Sequence, residues 1–353
     1  CGGGATDLFD HLINKTVISR SFRTAVIAVS GVILVALATM AGCAWYIYHE
    51  THREIFPGSE AYRIEKGSSL CDFAKQLENR HVITTDWPLL TWAVYRGQTR
   101  KIQTGEYRFD EVSSLAKILR QIIAGQVVTY PTTFIEGWTF VEIRQALEAA
   151  EHLLPDSVGL SDQEILAAIG SDYGHPEGLF FPDTYHSVRG YSQLSMLSRA
   201  YRAMEEKLAN SWAGREPGLP LAGPYEALIL ASIIERESGV DEERGRISGV
   251  LTNRLRQNIL LQVDPTVIYG LGPSFDGDLR SAHLKMDGPY NTYRRRGLPP
   301  TPISNPGLKS LQAAVRPLET TDMFFVARGD GRHEFSETLE EHHRAVRRHQ
   351  IPR

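Results

Sequence analysis

The chain has 353 residues, 38 basic against 42 acidic side chains, and a formal net charge of -4. It is long enough for two or more domains beyond any membrane anchor. Its basic residues are dispersed, with the densest short runs at Arg294–Arg296 and Arg347–Arg348, so the charge pattern excludes a nucleic-acid footprint. The three cysteines are Cys1, Cys43 and Cys71; they form no metal-ligand spacing and imply no disulfide framework. A chain that opens on Cys1 rather than methionine is the expectation for a truncated N-terminus.

Thr24 to Tyr48 carries no charge. At roughly 25 residues it is long enough to cross a hydrocarbon core of about 30 Å. It ends in Trp45, Tyr46 and Tyr48, the aromatic belt of an interface. A core helix would show a polar face, and a signal peptide would have a shorter apolar stretch and a small-residue cleavage site. Lys15, Arg20 and Arg23 precede the segment, whereas the following flank mixes His49, Glu50, His52, Arg53 and Glu54. The positive-inside bias then predicts a single-pass protein of a bacterial inner membrane. Residues 1–23 form a cytoplasmic leader, 24–48 the span and 49–60 a juxtamembrane linker, with the C-terminal body in the periplasm.

Beyond the linker, Tyr62–Leu70 reads as a strand and turn. Leu70, Phe73, Ala74 and Leu77 recur at helical spacing behind Ser68 or Ser69 as N-cap. A short helix follows at about Leu89 to Tyr95, behind Pro88. Gly105–Phe109 reads as a strand, and Val112–Ala124 as an amphipathic helix stopped by Gly125. Residues 61–130 therefore form a small α+β module and 131–353 a larger α+β domain. The latter has helices over Thr139–Ala150, Leu194–Ala209, Pro224–Glu237 and Glu243–Arg256, and a strand at Met323–Ala327.

One run in this domain bears on chemistry. Ala227–Ile234 is uniformly apolar and leads into Glu235, Arg236, Glu237, Ser238 and Gly239. A carboxyl at the end of a buried helix is costly to ionise, which suits it to donate a proton near neutral pH. Cleavage of a glycosidic bond needs such a donor. Two helical residues subtend about 200°, so Glu235 and Glu237 face opposite ways. Glu237 shares its face with Leu230, Ile233 and Ile234 and lies next to a helix-ending Gly239, which makes it the better donor. The alternative is two solvated acids pairing with Arg236 or Arg244.

Leu260–Gly270 places Asp264–Pro265 where a turn can start a helix. Its Gln262 and Thr266 suit sugar hydroxyls, or the run is an ordinary N-cap. Pro289–Tyr293, stiffened by Gly297–Pro302, offers Tyr290, Asn291 and Tyr293 for stacking and hydrogen bonding; tyrosine pairs also occur in plain cores. Glu177–Tyr185, with Glu177 and Asp183, carries the same ambiguity. Adjacent His342 and His343 cannot comfortably face one ion, and no Gly-x-Ser-x-Gly elbow occurs. Neither a metal nor another cofactor is expected.

Together these blocks resemble the YceG-like family, the endolytic murein transglycosylases. The resemblance is carried by Glu136–Gly137, Glu177–Gly178, Phe181–Thr184, Ala231–Ser238, Arg254–Leu255, Leu261–Gly270, Tyr290–Tyr293, Gly297–Pro300 and Pro306–Gly307. It covers nearly everything from the span onward. It implies an α+β protein with one N-terminal transmembrane helix, a LysM-like module at 61–130 and a catalytic domain at 131–353. It further implies a peptidoglycan lyase that cuts nascent strands internally and ends their growth, with Glu237 as the essential glutamate. Glu177, Asp183, Gln262, Asp264, Thr266, Tyr290, Asn291 and Tyr293 are its candidate sugar-holding residues. Peptidoglycan strands, the membrane and peptidoglycan synthases are the implied partners, with no nucleic acid. Two other readings stay open: a hydrolytic muramidase, with Asp264 or Glu177 as second acid, and a membrane-anchored glycan-binding scaffold.

Overall fold

The computed structural model describes the backbone of residues 6–349 and the side chains of residues 22–349; Cys1 lies outside them. The chain divides into two compact units, residues 1–128 and 129–353. Both mix helices with two-stranded sheets.

The first unit opens on helix α1 (Thr6–His52), whose stretch Phe22–His52 is long and apolar enough to cross a membrane. The helix thus continues through the leader instead of starting at the uncharged run. There follow β1 (Tyr62–Ile64), α2 (Leu70–Asn79), α3 (Trp87–Tyr95), β2 (Gly105–Tyr107) and α4 (Leu115–Ile123). Strands β1 and β2 pair antiparallel, with Tyr62 opposite Tyr107. Ser69 caps α2 through a reciprocal bond with Asp72, which settles the choice between Ser68 and Ser69. Ser114 caps α4, so that helix starts later than its apolar pattern suggested: the cap satisfies an orphan N–H that Val112 could not. Leu70, Phe73, Leu77, Ile118, Leu119 and Ile122 fill the core between them.

The second unit begins with β3 (Tyr130–Thr133), α5 (Phe140–Ala149), β4 (Leu153–Leu154), α6 (Asp162–Ile169), β5 (Thr184–Ser187), β6 (Tyr191–Ser192) and α7 (Gln193–Ala213). Then come α8 (Pro224–Glu237), α9 (Arg244–Arg256), α10 (Asp264–Leu271), α11 (Ser281–Lys285) and α12 (Leu308–Val315). Hairpin strands β7 (Phe324–Ala327) and β8 (His333–Ser336) and helix α13 (Leu339–His349) complete it. The pairs β3–β5 and β7–β8 are antiparallel, and β4–β6 is parallel.

Helix α8 is the spine of this unit. Every residue from Ala227 to Ile234 is buried, so the helix has no solvent face, and its sequence shows an apolar block instead of a stripe. Its one polar interior group, the Ser232 hydroxyl, donates to the Ile229 carbonyl at 2.7 Å and accepts the Ile303 N–H at 3.0 Å. Burial at about 1.5–3 kcal/mol per large aliphatic side chain fixes this helix firmly. Its C-terminal residue is therefore delivered to a defined place.

Candidate active site

The end of α8 separates its two carboxylates by partner. The Glu235 side chain is only 6% exposed and takes a 3.0 Å ion pair from Arg244. Its other oxygen accepts the Gly307 N–H at 2.9 Å. Arg244 also bonds Asp241 at 3.1 Å and Ser310 at 2.7 Å. Glu235 thus ties α8 to α9 and to the start of α12. Glu237 faces elsewhere. Among the described residues, neither a hydrogen-bond donor nor a cation sits on its carboxyl. Desolvation, with a smaller push from the Asp264 charge, raises its pKa from 4.5 to about 8. Accessible area alone does not set the two acids apart, since both residues are partly buried; the missing counter-charge does.

Helix α8 ends because Ser238 turns extended, at φ -86° and ψ 117°. Gly239 plays a different part from the expected helix stop. A Cβ there would lie 2.7 Å from the Gly331 carbonyl oxygen, so glycine admits the turn of the β7–β8 hairpin against the segment that follows Glu237.

Glu237 lies on the wall of a cavity of about 390 Å³. Gln262, Asp264 and Tyr293 share that wall with Arg254, the aromatic rings of β7 and the histidines His333, His342 and His343. The volume and the mixed aromatic and polar lining suit a carbohydrate. Asp264 opens α10 beside Pro265 at the first turn, as its sequence context predicted. Its Oδ1 accepts a 2.5 Å hydrogen bond from the Tyr293 hydroxyl. Burial, that bond and the nearby Asp264 and Glu237 charges raise the phenol pKa, so Tyr293 remains a donor to Asp264. Gln262 holds a left-handed φ of 55°, sparsely populated for a residue with a side chain. Arg254 stabilises it: the guanidinium donates to Gln262 Oε1 at 3.1 Å and to the carbonyls of Leu260 and Leu261 at 2.9 Å. It also reaches the Met323 carbonyl at 2.6 Å and lies 4.8 Å from the centre of the Phe324 ring. One buried cation therefore clamps the Gln262 loop to the entry of β7.

The other candidates sit apart from Glu237. Glu177 and Tyr290 line a second cavity of about 560 Å³, together with Arg236, Tyr269 and His175. Glu177 is 2% exposed, and burial raises its pKa to about 8 against the pull of its Tyr269 and Phe140 hydrogen bonds. Its carboxyl accepts from Phe140 N–H at 2.9 Å, Tyr269 OH at 3.1 Å and Asn305 Nδ2 at 3.3 Å. Thr266 is fully buried and bonds the Val263 carbonyl and the Thr292 hydroxyl. The Asn291 amide donates to the carbonyls of His283, Leu284 and Met286. Both residues fasten the loops that carry Asp264 and Tyr293, and neither lines either cavity. Asp183 is exposed at the start of β5, where its carboxylate accepts the Thr184 N–H. The contribution of β7, β8 and α13 went unread in the sequence, where His342 and His343 were weighed only as metal ligands.

The profile of the YceG-like family matches residues 62–348. The chain belongs to the YceG-like family. The match takes in α8, α10 and the β7–β8 hairpin and leaves α1 outside it. A Bacillus subtilis protein named endolytic murein transglycosylase is 28% identical over 299 residues, covering 80% of this chain and 82% of that protein. A Streptococcus pneumoniae protein of the same name is 23% identical over 357 residues; the match spans 90% of this chain and 64% of that longer protein. A crystal structure of a YceG-like protein from Listeria monocytogenes aligns with a TM-score of 0.50 at 27% identity, over 81% of this chain and 99% of that one.

Proposed function

We propose that this YceG-like chain is a membrane-anchored lytic transglycosylase that cleaves the MurNAc–GlcNAc bond inside nascent peptidoglycan strands, with Glu237 as its acid and base. The observation that carries the reading is the Glu237 carboxyl, which ends a buried helix, has no cation beside it among the described residues, has its pKa raised to about 8 and lines a carbohydrate-sized cavity. Its relatives named endolytic murein transglycosylase support the substrate.

Protonated Glu237 gives its proton to the bridging oxygen as the bond to the anomeric carbon breaks. The muramic 6-hydroxyl oxygen then attacks that carbon, and its proton passes to the Glu237 carboxylate, restoring the acid. The product carries a 1,6-anhydro ring, and no water is consumed. One group serves both transfers, so the turning away of Glu235 is no obstacle. Asp264 and Gln262 are placed to hold sugar hydroxyls, and Tyr293 to position Asp264.

Asp264 favours one competing reading. It is a second carboxylate in the cavity of Glu237, as a hydrolytic muramidase requires. Mass analysis of digested glycan strands separates the two. A transglycosylase leaves anhydro ends one water lighter than hydrolysed ends; exclusively hydrated, reducing ends would refute the lyase.

The apolar stretch Phe22–His52 supports a single-pass anchor, and the basic residues before it support a cytoplasmic N-terminus and a periplasmic body in the inner membrane. Within that reading residues 61–130 are a LysM-like glycan-binding module and 131–353 the catalytic domain. Cleavage beside the membrane ends strand elongation, in step with peptidoglycan synthases.

A further inference from the structure

Helix α3 is nine residues long and carries no charge. One face, with Pro88, Leu89 and Ala93, is buried in the core of the first unit. The other presents Trp87, Val94 and Tyr95, exposed by 43%, 67% and 79%. A helix apolar on both faces belongs in a protein core or against lipid, and this one has solvent on one side.

Its place along α1 identifies what covers it. The Trp87 ring stacks on Tyr46 with centroids 5.5 Å apart and planes 17° from parallel. Trp92 lies edge-on to Tyr48 at 6.3 Å and to His52 at 5.2 Å. Tyr46 and Tyr48 close the uncharged run of α1, so α3 is held where that run ends. Arg96, whose guanidinium lies 5.4 Å from the centre of Trp92, follows directly, and Arg100 and Lys101 come next, all exposed.

We propose that α3 is an interfacial helix that seats the first unit on the membrane surface, with Trp87 in the headgroup–acyl boundary and Arg96, Arg100 and Lys101 meeting anionic headgroups. The proposal rests on the reading that Thr24–Tyr48 spans the bilayer. Trp87 meets α1 at Tyr46 and Trp92 meets it at Tyr48 and His52, two to six residues further on and so about 3–9 Å higher; the helix therefore enters inclined with Trp87 deepest. Asp86, just before Trp87, keeps that end in the wet headgroup layer and out of the acyl core. Tryptophan is the side chain best suited to that layer, with an apolar ring and one N–H donor.

The test uses the full chain in vesicles of equal parts phosphatidylcholine and phosphatidylglycerol, with acyl chains brominated near the headgroup. Three single-tryptophan proteins keep Trp45, Trp87 or Trp92, the remaining tryptophans being replaced by phenylalanine, and circular dichroism checks each fold. Bromine is expected to quench Trp87 to within about twofold of Trp45, and Trp92 less. Quenched Trp45 with unquenched Trp87 would overturn the interfacial helix and leave the span intact. Unquenched Trp45 would overturn the span and this proposal with it. If a single-tryptophan protein fails to fold, a Trp87→Cys chain with Cys1, Cys43 and Cys71 changed to alanine carries a fluorescent label at the deepest exposed position. Quenching of that label supports the seat, and its absence overturns it.

Discussion

Replacing Glu237 by glutamine tests the proposed chemistry most directly. The substitution keeps shape and hydrogen-bonding capacity but removes the exchangeable proton. Its effect follows from the raised pKa of about 8, against an ordinary 4.5. At pH 7 a carboxyl at 8 is about 90% protonated and one at 4.5 about 0.3%, so the site raises the working acid form roughly 300-fold. A positioned proton transfer contributes about 10²–10⁴ in rate. Because one residue performs both transfers, the variant should lose at least about 10³-fold in anhydro-muropeptide release, measured by mass spectrometry on purified glycan strands. Folding should not suffer. Wild-type Glu237 must give up its proton as pH rises through about 8, whereas the amide never ionises, so the variant should melt at or above the wild-type temperature at pH 9. Wild-type activity should fall above pH 8 as the acid form is lost. A variant that keeps activity within about tenfold of wild type, with an unchanged melting temperature, would falsify the assignment.

Four further substitutions probe the surroundings. Asp264→Asn removes the charge that helps raise Glu237, so the alkaline limb of the pH–rate profile should move to lower pH; a limb that stays put or rises would count against that coupling. Arg244→Leu strands Glu235, whose side chain is only 6% exposed, and should cost about 3–5 kcal/mol in denaturant unfolding, with much of it recovered when Glu235 is also changed to leucine. A loss below about 1 kcal/mol would show that the pair is not a tie. Glu177 keeps its proton in the folded state up to about 8 but releases it near 4.5 when unfolded. Its contribution is therefore full below pH 4.5 and declines as pH rises to 8, by about 1.4 kcal/mol per pH unit. Glu177→Gln should make the stability–pH slope over that window shallower by one proton, and an unaltered slope would refute the raised pKa. Gly239→Ala drives a Cβ onto the Gly331 carbonyl and should cost about 1–3 kcal/mol and lower kcat by displacing the hairpin; wild-type kcat would show that the hairpin does not shape the Glu237 cavity.

Local physics made part of this site readable in advance. The apolar block Ala227–Ile234 announces a buried helix, and the helical angle alone turns Glu235 away from Glu237, where Arg244 meets it. The proline after Asp264 sets the start of α10. What local reasoning could not supply was the use made of polar residues inside the same motifs. Thr266 and Asn291 look like sugar ligands because threonine and asparagine offer donors and acceptors. Those same groups are what irregular loops need to satisfy their own buried carbonyls, and both residues are spent there. Gly239 misled for a related reason. A glycine after a helix reads as a cap, but here an extended Ser238 ends the helix and glycine is needed because another backbone passes close by.

The far wall of the cavity was the least legible part, since β7, β8 and α13 follow Glu237 by some 90–110 residues and only tertiary packing brings them back. Arg254 is the link. The sequence offers it only as part of the Arg254–Leu255 block, yet desolvation lowers its pKa and its guanidinium is spent on backbone carbonyls and Gln262. A cation buried without a carboxylate partner is retained at a cost, and it meets that cost by fixing the left-handed Gln262 and the first residues of β7 together. The site then divides its labour between two buried arginines. Arg244 neutralises Glu235 and fastens the end of α8. Arg254 holds the opposite wall at a set distance through neutral groups. Glu237, on which no cation sits among the described residues, keeps its proton. Moving either positive charge onto Glu237 would stabilise the carboxylate and remove the acid, so the placement of the arginines matters to the chemistry as much as the glutamate itself.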